Sequence, residues 1–471
     1  MKKSIAIILC LLLVITSCFL LVGCAPTEEL YKTDLVKKVK RDKDIYTVEL
    51  NKKQFVDTLV LSETADKVTS FGVYGKNDDG SYTLIYKNDR IDKFRVCSLD
   101  GMVTNELRIE IFDKLGNTKI NSIKAYNSTA EQRKTDFRVV EYLVTSDQKL
   151  EKMKDNPSFY EYFYNVNDIV LIGEIGVDES GKITYGEGKE DFAEDIANLN
   201  EIKENVKNPN MNIVVSVGLK GLASSSAKNQ NIGIKDGINK NISTIVKNIA
   251  AFAEEFGING IDFDWEYPQN GSQWKAYSKL IVELNSALAK SKRYITVALP
   301  TWGVKLSKDA VSAIKYVNLM TYDMFDERGE HASFYVSTKQ GIDQFLRETK
   351  FSRNQIMLGL SFYGRAINKS ENAWPDMNWD YKNNHESLGK WGNYIKDFEY
   401  TEDKMTKVCD AYINGFAMNR DKTTYAISSG LGGVMIFRMS CDAPAGYKYS
   451  LHNAVGEALK RGLKAKEPVA A

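Results

Sequence analysis

The chain has 471 residues, 43% of them hydrophobic, and its 63 Lys and Arg against 62 Asp and Glu leave a net charge of +1 and an isoelectric point near 7.5. That balance lacks the basic footprint of a nucleic-acid-binding protein, and the three histidines, His331, His385 and His452, are scattered without metal-ligand spacing, which speaks against a zinc hydrolase. At roughly 150 residues per domain, two or three domains are expected.

Lys2 and Lys3 precede an apolar run from Ile5 to Val22 that ends Leu21-Val22-Gly23-Cys24, and residues 1–23 read as a secretion signal. The run is also long enough to span a bilayer as an uncleaved anchor. The small residue directly before Cys24 resembles the lipobox of bacterial lipoproteins. That resemblance implies a lipidated Cys24 as first residue of the mature chain and an extracytoplasmic protein anchored at the bacterial cell membrane. Residues 24–44 are rich in Lys, Glu and Asp and read as a solvated tether. Of six cysteines, four remain beyond the signal, and only Cys409 and Cys441 share an expected domain, which makes them the one candidate disulfide pair.

Short strands at regular spacing follow over residues 45–130: Tyr46–Leu50, Thr58–Ser62, Thr69–Tyr74, Ser81–Tyr86, Lys93–Ser98, Glu106–Phe112 and Lys119–Tyr126. Turn signals such as Asn77-Asp78-Asp79-Gly80 and Gly116-Asn117 separate them, which predicts a small all-β sandwich. The run DTLVLSE, VTSFGVYGKNDDGSYTLIY and NELRIEIFD resembles a shortened discoidin-type module, a family that often binds carbohydrate. All six tryptophans lie beyond residue 260, so a spacer or stabilising role is favoured here over a lectin.

From residue 131 to 464, with a tail at 465–471, strands alternate with helical segments, which predicts a parallel sheet. Eight candidate strands are Phe137–Val144, Asp168–Ile175, Asn212–Gly218, Gly260–Glu266, Tyr294–Pro300, Tyr316–Tyr322, Gln355–Tyr363 and Gly432–Phe437. Helices are expected over Ala193–Val206, Gly237–Phe256, Gln273–Lys290, Gly341–Glu348 and Tyr447–Arg461. This is the pattern of a (β/α)8 TIM barrel, whose catalytic residues sit at the C-terminal ends of the strands.

At such an end stands Asn259-Gly260-Ile261-Asp262-Phe263-Asp264-Trp265-Glu266-Tyr267-Pro268. Asp262, Asp264 and Glu266 alternate with apolar residues, so a strand would place all three carboxyls on one face, ending at Pro268. Alternate carboxyls lie about 6.6 Å apart, where two full charges repel by about 2.5 kcal/mol at an effective dielectric near 20. The row must therefore hold a proton, and a proton beside an acid at the open end suits general acid catalysis. A calcium loop also begins D-x-D, but it requires Gly and Glu where this chain has Tyr267 and Gln273. A solvated acidic face is the other alternative, against which the interleaved Ile261, Phe263 and Trp265 argue.

The barrel resembles chitinase-type glycoside hydrolases, family 18. Its strand-four motif D-G-x-D-x-D-x-E matches here except at Asn259, Met320-Thr321-Tyr322-Asp323 matches M-x-Y-D, and Gly359 to Arg365 is similar to G-x-P-x-Y-G-R. Ser216-Val217-Gly218-Leu219 matches S-x-G-G in part, Glu141-Tyr142 stands where Gly-Tyr is frequent, and Gly432 to Phe437 resembles G-G-x-M-x-W with Phe for Trp. The resemblance implies substrate-assisted retaining hydrolysis beside N-acetylglucosamine, with no metal or cofactor. Glu266 would be the acid and base, Asp264 would orient the acetamido group, Asp262 would share a proton with it from below, and Tyr322 would hold the acetamido oxygen. Tyr142 and Ser216 match positions that hydrogen-bond the buried aspartate, and Tyr267, Met320, Asp323, Tyr363 and Arg365 match pocket-lining positions. Phe437 would sit under the sugar nearest the cleavage point, while Trp302, Trp374, Trp379 and Trp391 are candidates for stacking on sugars. Leu219 and Asn259 fall at supporting positions, where Asn259 removes a charge next to the row.

The stretch from Ala366 to Tyr400 is too short for a complete extra α/β lobe, which predicts a shallow, endo-acting cleft. The expected partner is a glycan containing N-acetylglucosamine, chitin or chitooligosaccharides first, and the chain is expected to be a monomer. Peptidoglycan or N-glycan cores as substrates of an endo-β-N-acetylglucosaminidase are the second reading. A catalytically silent glycan-binding protein is the third, and retention of Glu266 argues against it.

Overall fold

The computed structural model describes residues 30–145, 150, 157–206, 208, 210–223, 229–366, 381–402 and 405–464. The signal segment, Cys24, Trp374, Trp379 and the tail at 465–471 lie outside them.

The N-terminal domain has six antiparallel strands, β1 (Val36–Asp42), β2 (Ile45–Glu63), β3 (Val68–Lys76), β4 (Tyr82–Asn88), β5 (Arg95–Lys114) and β6 (Ile120–Tyr126). They are hydrogen-bonded in the order β1-β2-β5-β3-β4, with β6 on the other half of β2. The expected strands at 46–50 and 58–62 are one long strand, as are those at 93–98 and 106–112. Register shifts between Glu49 and Gln54 and between Val56 and Thr58 absorb what read as turns, since bulges let a strand bend without ending. Val48, Leu59, Phe71, Val73 and Ile109 are fully buried in this domain's core. The expected tether is ordered from residue 30: Leu30, Tyr31 and Leu35 are buried, and β1 pairs with β2. The charged side chains of β1 face solvent while its backbone completes the sheet, and an edge strand rich in Lys resists further pairing.

The second domain is a closed parallel barrel. Its staves are β7 (Arg138–Val144), β8 (Asp168–Val177), β10 (Asn212–Gly218), β11 (Gly260–Phe263), β12 (Tyr294–Pro300), β13 (Ile314–Met320), β14 (Ile356–Ser361) and β18 (Gly433–Phe437), with β18 pairing back to β7. A short β9 (Ile183–Tyr185) folds back on β8. Around the barrel run α1 (Lys189–Asn205), α2 (Gln230–Glu255), α3 (Gly271–Leu288), α4 (Lys308–Ala313), α5 (Gly341–Glu348), α7 (Phe416–Ser428) and α8 (Leu451–Gly462). Side chains alternate across each stave. Val140, Tyr142, Val170, Val214, Tyr316 and Met435 fill the interior, whereas Val139, Leu143, Ile169, Val215 and Val434 pack under the helices. Between β14 and β18 stands a small antiparallel sheet of β15 (Gly364–Ala366), β16 (Tyr394–Glu402) and β17 (Met405–Ile413), with α6 (Tyr381–Leu388) preceding β16. Cys97, Cys409 and Cys441 are all free thiols, so the candidate pair is not formed: Cys409 lies on β17 facing the Phe398 carbonyl, and Cys441 lies in the turn after β18.

Helix α7 escapes the periodicity search because every residue from Phe416 to Ser428 is buried. Its polar run from Asn419 to Thr424 leaves no apolar stripe at helical spacing to reveal it. Its charges meet partners on the β-domain instead. Asp421 accepts from the Tyr86 hydroxyl at 2.5 Å and the Ser98 amide at 2.7 Å and pairs with Arg95 at 3.2 Å, while Arg420 donates to the Ser98 carbonyl at 2.6 Å. Removing Asp421 takes the carboxylate partner from Arg95 and the acceptor from the Ser98 amide, both of them buried. Asp421→Ala is expected to cost about 3–5 kcal/mol in urea unfolding of the whole chain; a loss below about 1 kcal/mol would show that the seam is wet and weak.

Candidate active site

Strand β11 ends at Phe263, three residues earlier than expected. Asp262 is therefore on the stave, inward and fully buried, while Asp264 and Glu266 lie on the chain just beyond its C-terminal end. The alternation nevertheless persists. Trp265 turns away, donating its indole N–H to Asn231 at 2.7 Å and packing edge-on against Tyr277 at 5.5 Å. Asp264 and exposed Glu266 thus share one cavity of about 440 Å³ with Tyr142, Tyr267, Trp302, Met320, Tyr322, Asp323, Tyr363, Arg365 and Phe437. The Glu266–Tyr267 and Phe437–Arg438 peptides are cis.

Buried Asp262 and half-buried Asp264 differ in their surroundings. Asp262 accepts from the Thr296 hydroxyl at 2.6 Å, the Tyr142 hydroxyl at 3.1 Å and the Asn318 amide at 3.3 Å, and Ser216 also donates to it. Burial raises its pKa and these four donors oppose the rise. Asp264 has no such support. Burial first, and then the charges of Glu266 and Asp262, push its carboxyl well above the ordinary range, with Lys220 opposing, and its Oδ1 meets no hydrogen-bond partner. Of the two, Asp264 has the surroundings that favour a proton more, while Asp262 accepts from its own ring of donors.

On the opposite wall, half-buried Tyr322 stacks on Phe437 at 5.8 Å and meets Tyr363 edge-on at 6.0 Å. Burial keeps its phenol well above the ordinary pKa, so it remains a donor. Asp323 has a left-handed backbone (φ +54), a region Asp tolerates. Its carboxylate receives Arg365 through Nε at 2.8 Å and Nη2 at 3.2 Å and the Tyr363 hydroxyl at 2.9 Å. Against burial, which would raise it, His331 and Arg365 pull this carboxyl far below the ordinary range.

Several expected supports lie elsewhere. Asn259 is at the far end of β11, where its side chain accepts from the Ile213 amide at 2.9 Å, and Leu219 is buried apolar packing. Trp391 packs on Tyr86 of the β-domain at 5.6 Å and belongs to the domain seam. Trp302 remains a stacking candidate, 55% exposed and 5.9 Å from Tyr267. The residues missed are Thr296, Asn318, His331, Arg438 and Cys441. For Thr296 a signal existed, a lone small polar residue within an apolar stretch of its stave; Asn318 shares its stave with Lys315, and for the others there was none. Glu141 points out of the barrel, to His452 at 2.9 Å, which also meets Asp442 at 2.6 Å. Burial alone would lower the His452 pKa, but the flanking carboxylates raise it to about 10.

Residues 132–442 match the family model of glycosyl hydrolases family 18. Chitinase 1 of Aphanocladium album is 24% identical over 283 residues, half of this chain and 62% of that protein. Endochitinase 1 of Metarhizium anisopliae is 26% identical over 238 residues, 42% of this chain and 56% of that protein, so the match spans little more than half the length of these relatives. Among solved structures, a chitinase from Bacteroides thetaiotaomicron superposes with a TM-score of 0.52 at 22% identity, covering 70% of this chain and 99% of its own. The Group IV chitinase of Ostrinia furnacalis in complex with allosamidin gives 0.52 at 19% identity, covering 70% of this chain and all of its own. With a family model matched over well over half of its length, this chain belongs to glycosyl hydrolases family 18.

Proposed function

We propose that the chain is an endo-acting chitinase-like hydrolase that cleaves β-1,4 bonds next to N-acetylglucosamine by substrate-assisted retaining catalysis, anchored outside the cytoplasm through lipidated Cys24. The observation that carries this reading is one cavity holding exposed Glu266, Asp264 with an unpartnered Oδ1, and the Tyr322 phenol.

Glu266 gives its proton to the glycosidic oxygen as the bond to the anomeric carbon breaks. The acetamido carbonyl oxygen of the same sugar attacks that carbon and closes an oxazolinium ion, and water then opens it, losing a proton to Glu266. Asp264 Oδ1 accepts the acetamido N–H, and as the proton Asp264 shares with Asp262 passes to Asp262, the Asp264 carboxylate offsets the positive charge that develops. Tyr322 donates to the acetamido oxygen and keeps it in line. Asp323, Tyr363 and Arg365 brace the wall that carries Tyr322. Phe437 offers the sugar a smaller face than indole, which is the feature favouring peptidoglycan or N-glycan cores as the second substrate class.

Incubating the chain with chitooligosaccharides, peptidoglycan and N-glycoprotein in parallel and reading products by mass separates these substrates. Glu266→Gln is expected to lower kcat on the cleaved substrate by about 10²-fold or more with the fold intact. Wild-type rates in that variant would remove Glu266 as the acid, and a wild-type chain that binds chitin and cuts nothing would favour a silent glycan-binding protein. Asp264 supplies a pH test. Its folded-state pKa lies above the ordinary value of 3.8, so wild-type stability falls as pH rises from that value through the folded-state pKa. Asp264→Asn removes this loss. Its Tm relative to wild type should climb between about pH 4 and pH 8, and a difference that stays constant with pH would show that Asp264 is ionised in the folded chain.

A further inference from the structure

The hairpin after β13 carries a pocket residue at its base and is gripped by the other domain at its tip. Asp323 opens it and donates its amide to His331 Nε2 at 3.1 Å, Phe325 and His331 form an antiparallel bridge, and the Ala332 amide donates to the Met324 carbonyl at 2.7 Å. At the tip, Asp326 Oδ1 accepts from the amides of Arg328 at 2.8 Å and Glu330 at 3.0 Å. Arg90, on the loop after β4, has a side chain only 2% exposed and donates to Asp326, to Glu330 at 2.5 Å and to Asp66 of its own domain. Further ties run from the β-domain: Asp92 accepts the Tyr335 amide at 2.9 Å, the Val68 carbonyl accepts from Arg328 at 3.4 Å, Lys93 donates to Glu327 at 3.3 Å, and Asp66 lies 4.0 Å from Arg328. From the barrel side, Lys422 of α7 holds the Ala332 carbonyl at 2.8 Å.

We propose that Arg90 is a positioning residue for the active site: by clamping Asp326 and Glu330 it closes the hairpin, which sets His331 on Asp323 and so holds Tyr363 and Arg365 at the pocket wall. The β-domain is on this view a part of the hydrolase rather than a spacer. The consequence for rate rests on the hydrolase reading above; the hold on the hairpin does not. The Arg90 guanidinium engages three carboxylates from two domains, and a misplacement of about 1 Å at a reacting centre costs up to ~10²-fold in rate.

Arg420 supplies the control. It docks the same β-domain through the Ser98 carbonyl, Asp100 and Glu457, with no hydrogen bond to the hairpin among the described residues. Full-length Arg90→Met and Arg420→Met are compared with wild type below their melting temperatures, by hydrogen exchange and by steady-state hydrolysis of a chitooligosaccharide. Arg90→Met is expected to speed exchange at the Asp323 and Ala332 amides about tenfold or more and to lower kcat about tenfold or more with KM within about threefold, while Arg420→Met changes none of these beyond about twofold. Unchanged exchange in Arg90→Met, equal effects in both variants, or faster exchange with wild-type kcat would each overturn the proposal. Should Arg90→Met not fold, Glu330→Gln loosens the same turn from the hairpin side and carries the same comparison. If wild type hydrolyses no oligosaccharide, the hydrolase reading fails, and the exchange measurement alone decides whether Arg90 holds the hairpin.

Discussion

Three carboxyls packed into the mouth of a barrel cannot all be ionised where water is scarce, and the geometry around Asp262, Asp264 and Glu266 follows from settling where the proton goes. The fold answers with graded environments. Asp262 is deepest but has four donors, from β7, β10, β12 and β13, pointing at it. Asp264 is one step higher, half-buried with its Oδ1 unpartnered, and Glu266 is exposed at the rim. Moving any of the three by two residues along the chain would exchange these environments. The chemistry proposed for the pocket thus depends on the register of β11 as much as on the identity of its carboxyls.

The same logic of charge compensated at a distance runs through the rest of the molecule. The interior of α7 is charged because the β-domain presents Arg95, Tyr86 and Ser98 to it, and the hairpin behind Asp323 is charged because Arg90 meets it. Buried ion pairs of this kind add little net stability compared with apolar packing, but they penalise misplacement heavily. A seam built from them fixes one orientation of the two domains, and that orientation includes a segment of the pocket wall.

How much of this was legible in the sequence depended on range. The staves were readable because apolar alternation is local, and β10 and β12 fall on their expected bounds. The end of β11 was not: its ladder to β12 stops at the Phe263–Val297 pair, which no property of residues 264–266 announces. The breaks expected between residues 50 and 58 and between 98 and 106 are absent because bulges carry β2 and β5 through them. Helix α7, the ordered start at Leu30 and the role of Trp391 share one cause, since each is defined by a partner from the other domain. Among the site residues, those in the strand-end motifs were found from sequence, whereas Thr296, Asn318 and His331 became visible only when the staves and the hairpin were assembled around Asp262 and Asp323.

The most direct test of the chemistry is the anomeric configuration of the first product, read by proton NMR within the early minutes of chitooligosaccharide cleavage, before mutarotation. Attack by the substrate's own acetamido oxygen inverts the anomeric carbon once and water inverts it again, so the β-anomer must appear first. Release of the α-anomer would mean direct attack by water and would contradict the roles given to Asp264 and Tyr322.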